Sequence, residues 1–528
     1  MSSDFDYMSA TSLRKLIAGK QISPVELVER ALSKAASTQA DLNCFFVIDA
    51  EGARAAARRA ETAIVQGAPL GLLHGLPVSV KDLIAVGGLP YASGSRANEG
   101  NIAPEDAPAV ERLRAAGAII IGKTTTSEYG CKPVGDSPLT GITHNPWNAA
   151  KTPGGSSAGA AASIAAGLTP FGLGTDGGGS IQIPSSMTGL VGLKGQFGRV
   201  PVWPTSATPT LAHVGPMARN VHDAALLFTA IAGYDARDPS SVSEPVPNVL
   251  AACRSSVAGM RLAWSPTLGY AEPDEEVVAL CEKSALMLED MGCIVEKVDR
   301  FFDEDPARLW TAEFYAGVGT RLRNTLKTKR EILDPAVSDI LDAALSQTMR
   351  DYYESVFARH AFYRDALKKF DDYDAVLSPV IPVSSLDCGL NKPAASHIEL
   401  WSPGSITHTR SIFWAFPLEL FARVSLATEC LSGSRSPAGR AVNLMSFVWP
   451  PHWRQPSRPA TILFTGMVSE QFFKPPLTVV GLGHAQPIPI LQQLARSDPS
   501  GRNDVRAVPT VVAKRQGCLG GARDRNQP

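Results

Sequence analysis

Apolar positions along the chain recur first at helical and then at strand spacing, and the two patterns alternate. Ser23-Pro24-Val25-Glu26 is a capping box with proline at the first helical position, so it opens a helix expected to run to about Thr38. The Ala/Arg-rich stretch Ala53 to Val65 stops before Gly67 and reads as a second helix. Leu76 to Val80 reads as a strand with Lys81 at its end. A helix from Ala107 to Ala116, stopped by Gly117, leads into a buried-type strand, Ala118 to Ile121. Asn220 caps a helix to Ala232, and a helix from Asp274 to Met291 precedes a strand from Cys293 to Val298. Such alternation predicts an α/β protein with a mostly parallel or mixed sheet flanked by helices.

Thr152 to Lys194 breaks the pattern with its crowding of glycine, serine and alanine. A Gly/Ser-rich stretch commonly serves as a linker. This one also holds Ile164, Leu168, Phe171, Leu173, Ile181, Ile183, Leu190, Val191 and Leu193. A linker has no use for so many apolar residues, so the segment is expected to pack with backbones in close approach.

Composition narrows the possibilities. Of the 528 residues, 44% are hydrophobic and 19% charged, which rules out wholesale disorder. Fifty basic against 51 acidic residues leave no basic footprint for coating nucleic acid, and no nucleic-acid partner is expected. Eight cysteines without a CxxC read as reduced thiols. Met1 to Ser9 is polar, and no apolar run reaches the roughly 18 residues of a membrane span. A cytoplasmic protein with no membrane association is therefore expected. Charge is not evenly spread, however. Residues 1–416 carry a net −8 and residues 417–528 a net +7, the latter with 11 arginines against 2 lysines and 13 of the 40 prolines. The chain is accordingly divided into a main domain, 1–416, and an atypical Arg/Pro-rich segment, 417–528. An out-of-frame translation of GC-rich coding DNA has that bias, and so does a divergent basic tail.

Three glycine motifs compete within the unusual segment. Gly172-Leu173-Gly174-Thr175-Asp176-Gly177 satisfies GxGxxG but runs into further glycines and Pro184, with no acidic residue near Phe197, so a dinucleotide site is rejected. Gly155-Ser156-Ser157-Ala158-Gly159 satisfies GxSxG, and His213, His222 or His360 stand later in the chain as the partner an α/β-hydrolase elbow needs. In the third reading, Gly177-Gly178-Gly179 offers successive backbone N–H groups just before Ser180, a nest able to hold an oxyanion beside an attacking hydroxyl. Serine needs a base, and neither glycine motif holds a histidine. Lys81, at the end of an apolar strand, qualifies because burial moves a lysine toward neutrality. Taken singly, Lys81 reads as a solvated strand end and Ser180 as a turn residue.

Several motifs in order change that weighting. They are Leu73-His74-Gly75-Leu76-Pro77-Val78-Ser79-Val80-Lys81-Asp82, Gly117 to Lys123, His144-Asn145-Pro146-Trp147, Thr152-Pro153-Gly154-Gly155-Ser156-Ser157-Ala158-Gly159, Gly174-Thr175-Asp176-Gly177-Gly178-Gly179-Ser180-Ile181, and Gly192-Leu193-Lys194. Together they resemble the amidase signature family of serine hydrolases, with a catalytic block over about 73–233. The resemblance implies an α/β amidase-signature fold, a mixed central sheet flanked by helices on both faces, and an amidase that splits a carboxamide into a carboxylate and ammonia or an amine. It implies Ser180 as nucleophile, Ser156 after a cis peptide as proton relay, and Lys81 as base. The N–H groups of Gly177, Gly178, Gly179 and Ser180 would hold the oxyanion. A small-molecule amide is the implied partner, and a homodimer is compatible with the family.

The chain departs from the family at Gln182, where many members have arginine, and at Ala158. Two other readings stay open. One is the A subunit of a glutamyl-tRNA amidotransferase, a subgroup whose usual sequence the stretch Ser127-Glu128-Tyr129-Gly130-Cys131-Lys132 does not resemble. The other is a family member impaired by its altered C-terminal part. Leu280, Met287 and Met291 read as core, and Cys131 as a buried apolar residue. Nine histidines without zinc spacing imply no metal, and no organic cofactor is expected.

Overall fold

The computed structural model describes residues 5–391 and the backbone of residues 445–448. The helices α1 (Ala10–Ala18), α2 (Pro24–Leu42), α3 (Ala50–Val65), α4 (Pro108–Ala115), α5 (Ala158–Ala165) and α6 (Gln182–Thr188) precede α7 (Val221–Ile231), α8 (Val249–Ala252), α9 (Glu275–Leu286), α10 (Ala307–Thr328), α11 (Pro335–Leu345) and α12 (Met349–Lys369). The strands are β1 (Phe45–Ile48), β2 (Pro77–Lys81), β3 (Ile119–Thr124), β4 (Asp136–Ser137), β5 (Gly141–Ile142), β6 (Phe171–Asp176), β7 (Val191–Gly192), β8 (His213–Ala218), β9 (Arg261–Trp264), β10 (Ile294–Lys297), β11 (Ala375–Pro379) and β12 (Met445–Val448).

Six strands form a mixed sheet in the order β1-β3-β2-β6-β8-β7. Its centre is parallel, with β2 between β3 and β6, and its outer pairs are antiparallel. Successive side chains of a strand point to opposite faces. Val78, Val80 and Ile120 therefore enter a core with α1, α4 and α7, while Ile119 and Ile121 join α2, α3 and α5 on the other face. That is the α/β class expected from the alternating pattern, with the mixed order and the helices on both faces that the resemblance implies. The capping box forms as written: Ser23 accepts from the Val25 N–H, and the Glu26 carboxylate accepts from the Ser23 N–H. Helix α3 begins three residues earlier than expected, because Asp49 caps it through the Gly52 N–H.

Thr152 to Lys194 is packed throughout, not a linker. Every residue of α5 is buried. A Cβ at Gly159 would stand 2.2 Å from the Cys44 carbonyl oxygen, so only glycine permits that approach.

Beyond the central sheet lies a second one, ordered β10-β9-β11-β12, which the hydrophobic pattern resolved only at β10. Its first three strands run parallel, and β12 pairs antiparallel with β11. Leu262, Trp264 and Leu377 face α9, whereas Ala263 and Val376 face the aromatic cluster under α12. Helix α9 stops at Leu286 rather than Met291, and the chain turns there toward Gly292, whose φ is +87°. Its buried face is Val277, Cys281, Ser284 and Ala285; Leu280 and Met287 are half-buried beside it, and Met291, beyond the helix end, is half-buried and packs against the same core as expected. No helix among the described residues is long and apolar enough to cross a membrane. Apart from the backbone of β12, the segment 417–528 lies outside the described residues.

Candidate active site

Parallel strands β2 and β6 are neighbours, and Lys81 and Asp176 are their last residues. Carboxyl ends of adjacent parallel strands are where open α/β sheets hold their sites. Strand alternation aims Lys81 as well. Since Val78 and Val80 enter the α1/α4/α7 core, Ser79 and Lys81 project to the opposite face, where Ser79 meets Ser163 of α5 at 3.1 Å. Lys81 reaches the residues just before α5, which the all-buried helix fixes in place.

The Lys81 side chain has no exposed surface. Its Nζ lies 2.7 Å from Ser156 Oγ, 3.0 Å from Ser157 Oγ and 2.9 Å from Thr175 Oγ1. The peptide bond between Gly155 and Ser156 is cis. Burial pushes the Lys81 pKa well below the ordinary lysine range, and the charge of Asp176 offsets this only in part. Its sequence neighbour Asp82 gives no ion pair to Lys81, because Asp82 is itself paired with the buried Lys123 at 3.0 Å. A neutral amine has two N–H donors and one lone pair. Ser157, which donates to the Thr175 carbonyl, and the Thr175 hydroxyl can accept the two donors, which leaves the lone pair for the Ser156 O–H.

Ser180 follows on the loop after β6 and is half-buried. Its carbonyl accepts from the Ser157 N–H at 3.2 Å, which ties the two serine-bearing segments together. No hydrogen bond to its hydroxyl forms among the described residues, so Lys81 and Ser156 are in direct contact while Ser180 joins them through the backbone. Asp176 shapes this loop. Its Oδ1 accepts from the Gly179 N–H at 2.7 Å and its Oδ2 from the Ile181 N–H at 2.8 Å. Lys194 pairs with Asp176 Oδ1 at 2.9 Å, both side chains being buried. Burial would raise the Asp176 pKa, but Lys194 and the two N–H groups outweigh it and hold it at about 2. Gly179 adopts φ +104°, a conformation only glycine takes freely.

The four N–H groups expected to form the oxyanion nest are thereby divided. That of Gly179 is turned to the Asp176 carboxylate, whereas those of Gly177, Gly178 and Ser180 make no hydrogen bond among the described residues. Thr175, Asp176 and Lys194 stand in the sequence motifs, yet no role could be attached to them there, since nothing local pairs residues 18 positions apart. The elbow reading of GxSxG is not met. The Ser157 hydroxyl engages Lys81 and the Thr175 carbonyl, not a histidine. His213 is buried with Nδ1 2.8 Å from the Leu211 carbonyl oxygen, and burial, with Lys194 adding to it, lowers its pKa to about 3.

The opposite wall comes from α10, outside the motif-bearing block. Trp310, Phe314 and Tyr315 cluster with the buried Cys131, and the Trp310 Nε1–H donates to the Gly177 carbonyl at 2.8 Å. Cys131 reads as expected, its thiol pKa pushed up by burial. Gly130 brings that loop against Ser156: a Cβ there would lie 3.2 Å from Ser156 Oγ. No group of three or more His, Cys, Asp or Glu able to hold a metal exists among the described residues.

A buried lysine on serine hydroxyls at the end of a mixed α/β sheet can deprotonate an alcohol without a histidine. Comparison with known proteins gives this arrangement its class. The model of the Amidase family matches residues 26–412. An acylamidase of Rhodococcus erythropolis is 31% identical over 412 residues, covering 78% of this chain and 85% of that protein. The A subunit of the glutamyl-tRNA(Gln) amidotransferase of Anaeromyxobacter sp. (strain K) is 44% identical over 247 residues, 47% of this chain and 50% of that protein. Among solved structures, a bacterial aryl acylamidase belonging to the amidase signature enzymes aligns at TM-score 0.73 and 25% identity, over 88% of this chain and 94% of its own. The chain belongs to the amidase signature family, hydrolases acting on carbon–nitrogen bonds. The expected absence of a nucleic-acid partner gains no support from these relatives, several of which are amidotransferase subunits named for glutamyl-tRNA.

Proposed function

We propose that the protein is an acylamidase that hydrolyses a small carboxamide through a serine acyl-enzyme. The observation that carries this reading is the fully buried Lys81, its pKa pushed well below the ordinary lysine range by burial, 2.7 Å from Ser156 Oγ. The Ser180 hydroxyl attacks the amide carbonyl carbon and passes its proton to Ser156, whose own proton moves to the Lys81 amine. The N–H groups of Gly177, Gly178 and Ser180 face the oxygen that becomes anionic, while Gly179 serves the loop through Asp176. Such donors act where charge develops, and losing one typically costs about 10²–10³ in rate. Collapse of the tetrahedral intermediate breaks the C–N bond, and the proton returns through Ser156 to the leaving nitrogen. Water then attacks the acyl-Ser180 ester by the same relay, releasing the carboxylate. An acylamidase relative aligned over most of both chains supports this reading. Six free cysteines among the described residues, five of them buried, support a cytoplasmic setting.

A screen of aliphatic, aryl and indolyl amides should find turnover in the wild type. Ser180→Ala should lose it by several orders of magnitude while keeping its fold, and mass spectrometry should place the acyl group on Ser180. Near-wild-type turnover by the alanine variant, or acylation elsewhere, overturns the assignment. The 44% identity to an amidotransferase component favours a second reading, ammonia supply from glutamine to a partner. Glutaminase activity together with co-purifying partner chains would select it.

A further inference from the structure

We infer that Trp310 is a positioning residue for the oxyanion loop, acting through the Gly177–Gly178 peptide unit. This rests on the function proposed above and adds to it a residue from outside the motif-bearing block. The Trp310 Nε1–H donates to the Gly177 carbonyl oxygen at 2.8 Å. The peptide joining Gly177 to Gly178 is trans, since the cis bonds lie at Gly155–Ser156 and Trp203–Pro204. In a trans peptide the C=O and the following N–H point in opposite directions across one rigid plane. Holding the Gly177 oxygen toward α10 therefore turns the Gly178 N–H away from the Trp310 ring. That N–H makes no hydrogen bond among the described residues, and on the proposed mechanism it is a donor that meets the oxyanion.

Two glycines flank the bond and give this plane no side chain to restrain it. A peptide flip would carry the carbonyl into the site and present a lone pair where an oxyanion has to sit. Asp176 holds the far end of the loop through Gly179 and Ile181, but nothing from Asp176 reaches the Gly177–Gly178 unit. Trp310 supplies that missing restraint. Its ring is itself fixed, buried and stacked on Phe314 with centroids 4.6 Å apart, and set edge-on to Tyr315 at 5.2 Å.

Trp310→Phe removes the donor while keeping an aromatic ring between Phe314 and Tyr315. The expected result is a kcat reduced about tenfold to a hundredfold, bounded by the full loss of one oxyanion donor. KM for the same amide should stay within about twofold, and the pH profile should not move. A boronic acid that forms a tetrahedral adduct on serine should lose affinity in parallel with kcat, a response that mere loosening of the pocket would not produce. If phenylalanine leaves the chain unfolded, benzothienylalanine at position 310 keeps the shape of indole without its N–H, and the same losses are expected. Retention of wild-type kcat and boronate affinity by a folded variant overturns the role of Trp310 and leaves the proposed function standing. A wild type that hydrolyses no amide and binds no boronate overturns both.

Discussion

Replacing Asp176 by asparagine tests whether a buried ion pair, rather than the glycine-rich sequence alone, shapes the loop that carries Ser180. The substitution is nearly isosteric. It removes the charge facing Lys194 at 2.9 Å and exchanges one acceptor oxygen for an amide donor opposite the N–H of Gly179 or Ile181. Shifting the Asp176 pKa from 3.8 to about 2 corresponds to about 2 kcal/mol of preference for the ionised form in the fold. Because Lys194 is only 5% exposed, the variant also takes away the carboxylate that faces a buried ammonium, and breaking such a pair costs about 3–5 kcal/mol. Asp176→Asn should therefore lose about 3–5 kcal/mol in urea unfolding at pH 7. The double variant Asp176→Asn/Lys194→Met should recover part of that loss. A carboxylate with a depressed pKa stabilises the fold above its unfolded value and ceases to do so as pH falls through the folded one. The gap between wild type and the single variant should therefore narrow between about pH 4 and pH 2. A single variant within 0.5 kcal/mol of wild type, or a double variant no more stable than the single one, would refute the reasoning.

Lys81 makes an opposite prediction, because its pKa is depressed while its charged form is the protonated one. Amide hydrolysis should rise with pH as Lys81 loses its proton, and Lys81→Met should abolish both the limb and the activity; a variant keeping the wild-type profile would exclude lysine as the base. The unfolded chain holds that proton more tightly than the native state does, so native stability should gain on Lys81→Met as pH rises toward about 10.4, a slope that denaturant titrations at several pH values can read. For the C-terminal part we propose a changed reading frame near Pro417, supported by the reversal of charge there and by a family match that ends at residue 412. Resequencing should find a one- or two-base insertion or deletion near that codon, and limited proteolysis should trim the chain back toward it. A verified frame with a protease-resistant 417–528 segment would reject this.

Local rules were legible wherever both partners of an interaction sit within a few residues. The Ser23 box, the Asn220 cap and the glycine stops at Gly67 and Gly117 all depend on neighbours in sequence, and the structure has them. Asp49 escaped notice because Gly52, the third residue of α3, interrupts the helical pattern just after it. Strands β9 and β11 are four and five residues long, too short for a period to stand out. Lys81 and the serines were reachable because their motifs stand in a characteristic order. The geometry joining them was not, since β2, the turn before α5 and the end of β6 meet only in the folded sheet. Trp310 is the extreme case, 133 positions from the carbonyl it binds, on a helix whose own spacing marks nothing but core.

The complete enclosure of Lys81 has a consequence for traffic rather than for reactivity. Its nitrogen is surrounded by Ser156, Ser157 and Thr175, and no part of the side chain meets solvent. On the proposed mechanism, a proton taken from the nucleophile is then held away from solvent and returns through Ser156 to whatever occupies the site. The hydrogen that leaves on the amine is therefore the one that arrived from Ser180, not one drawn from the surrounding water. Sealing the base makes the chemistry a closed loop within each half-reaction, in which the substrate itself is the gate.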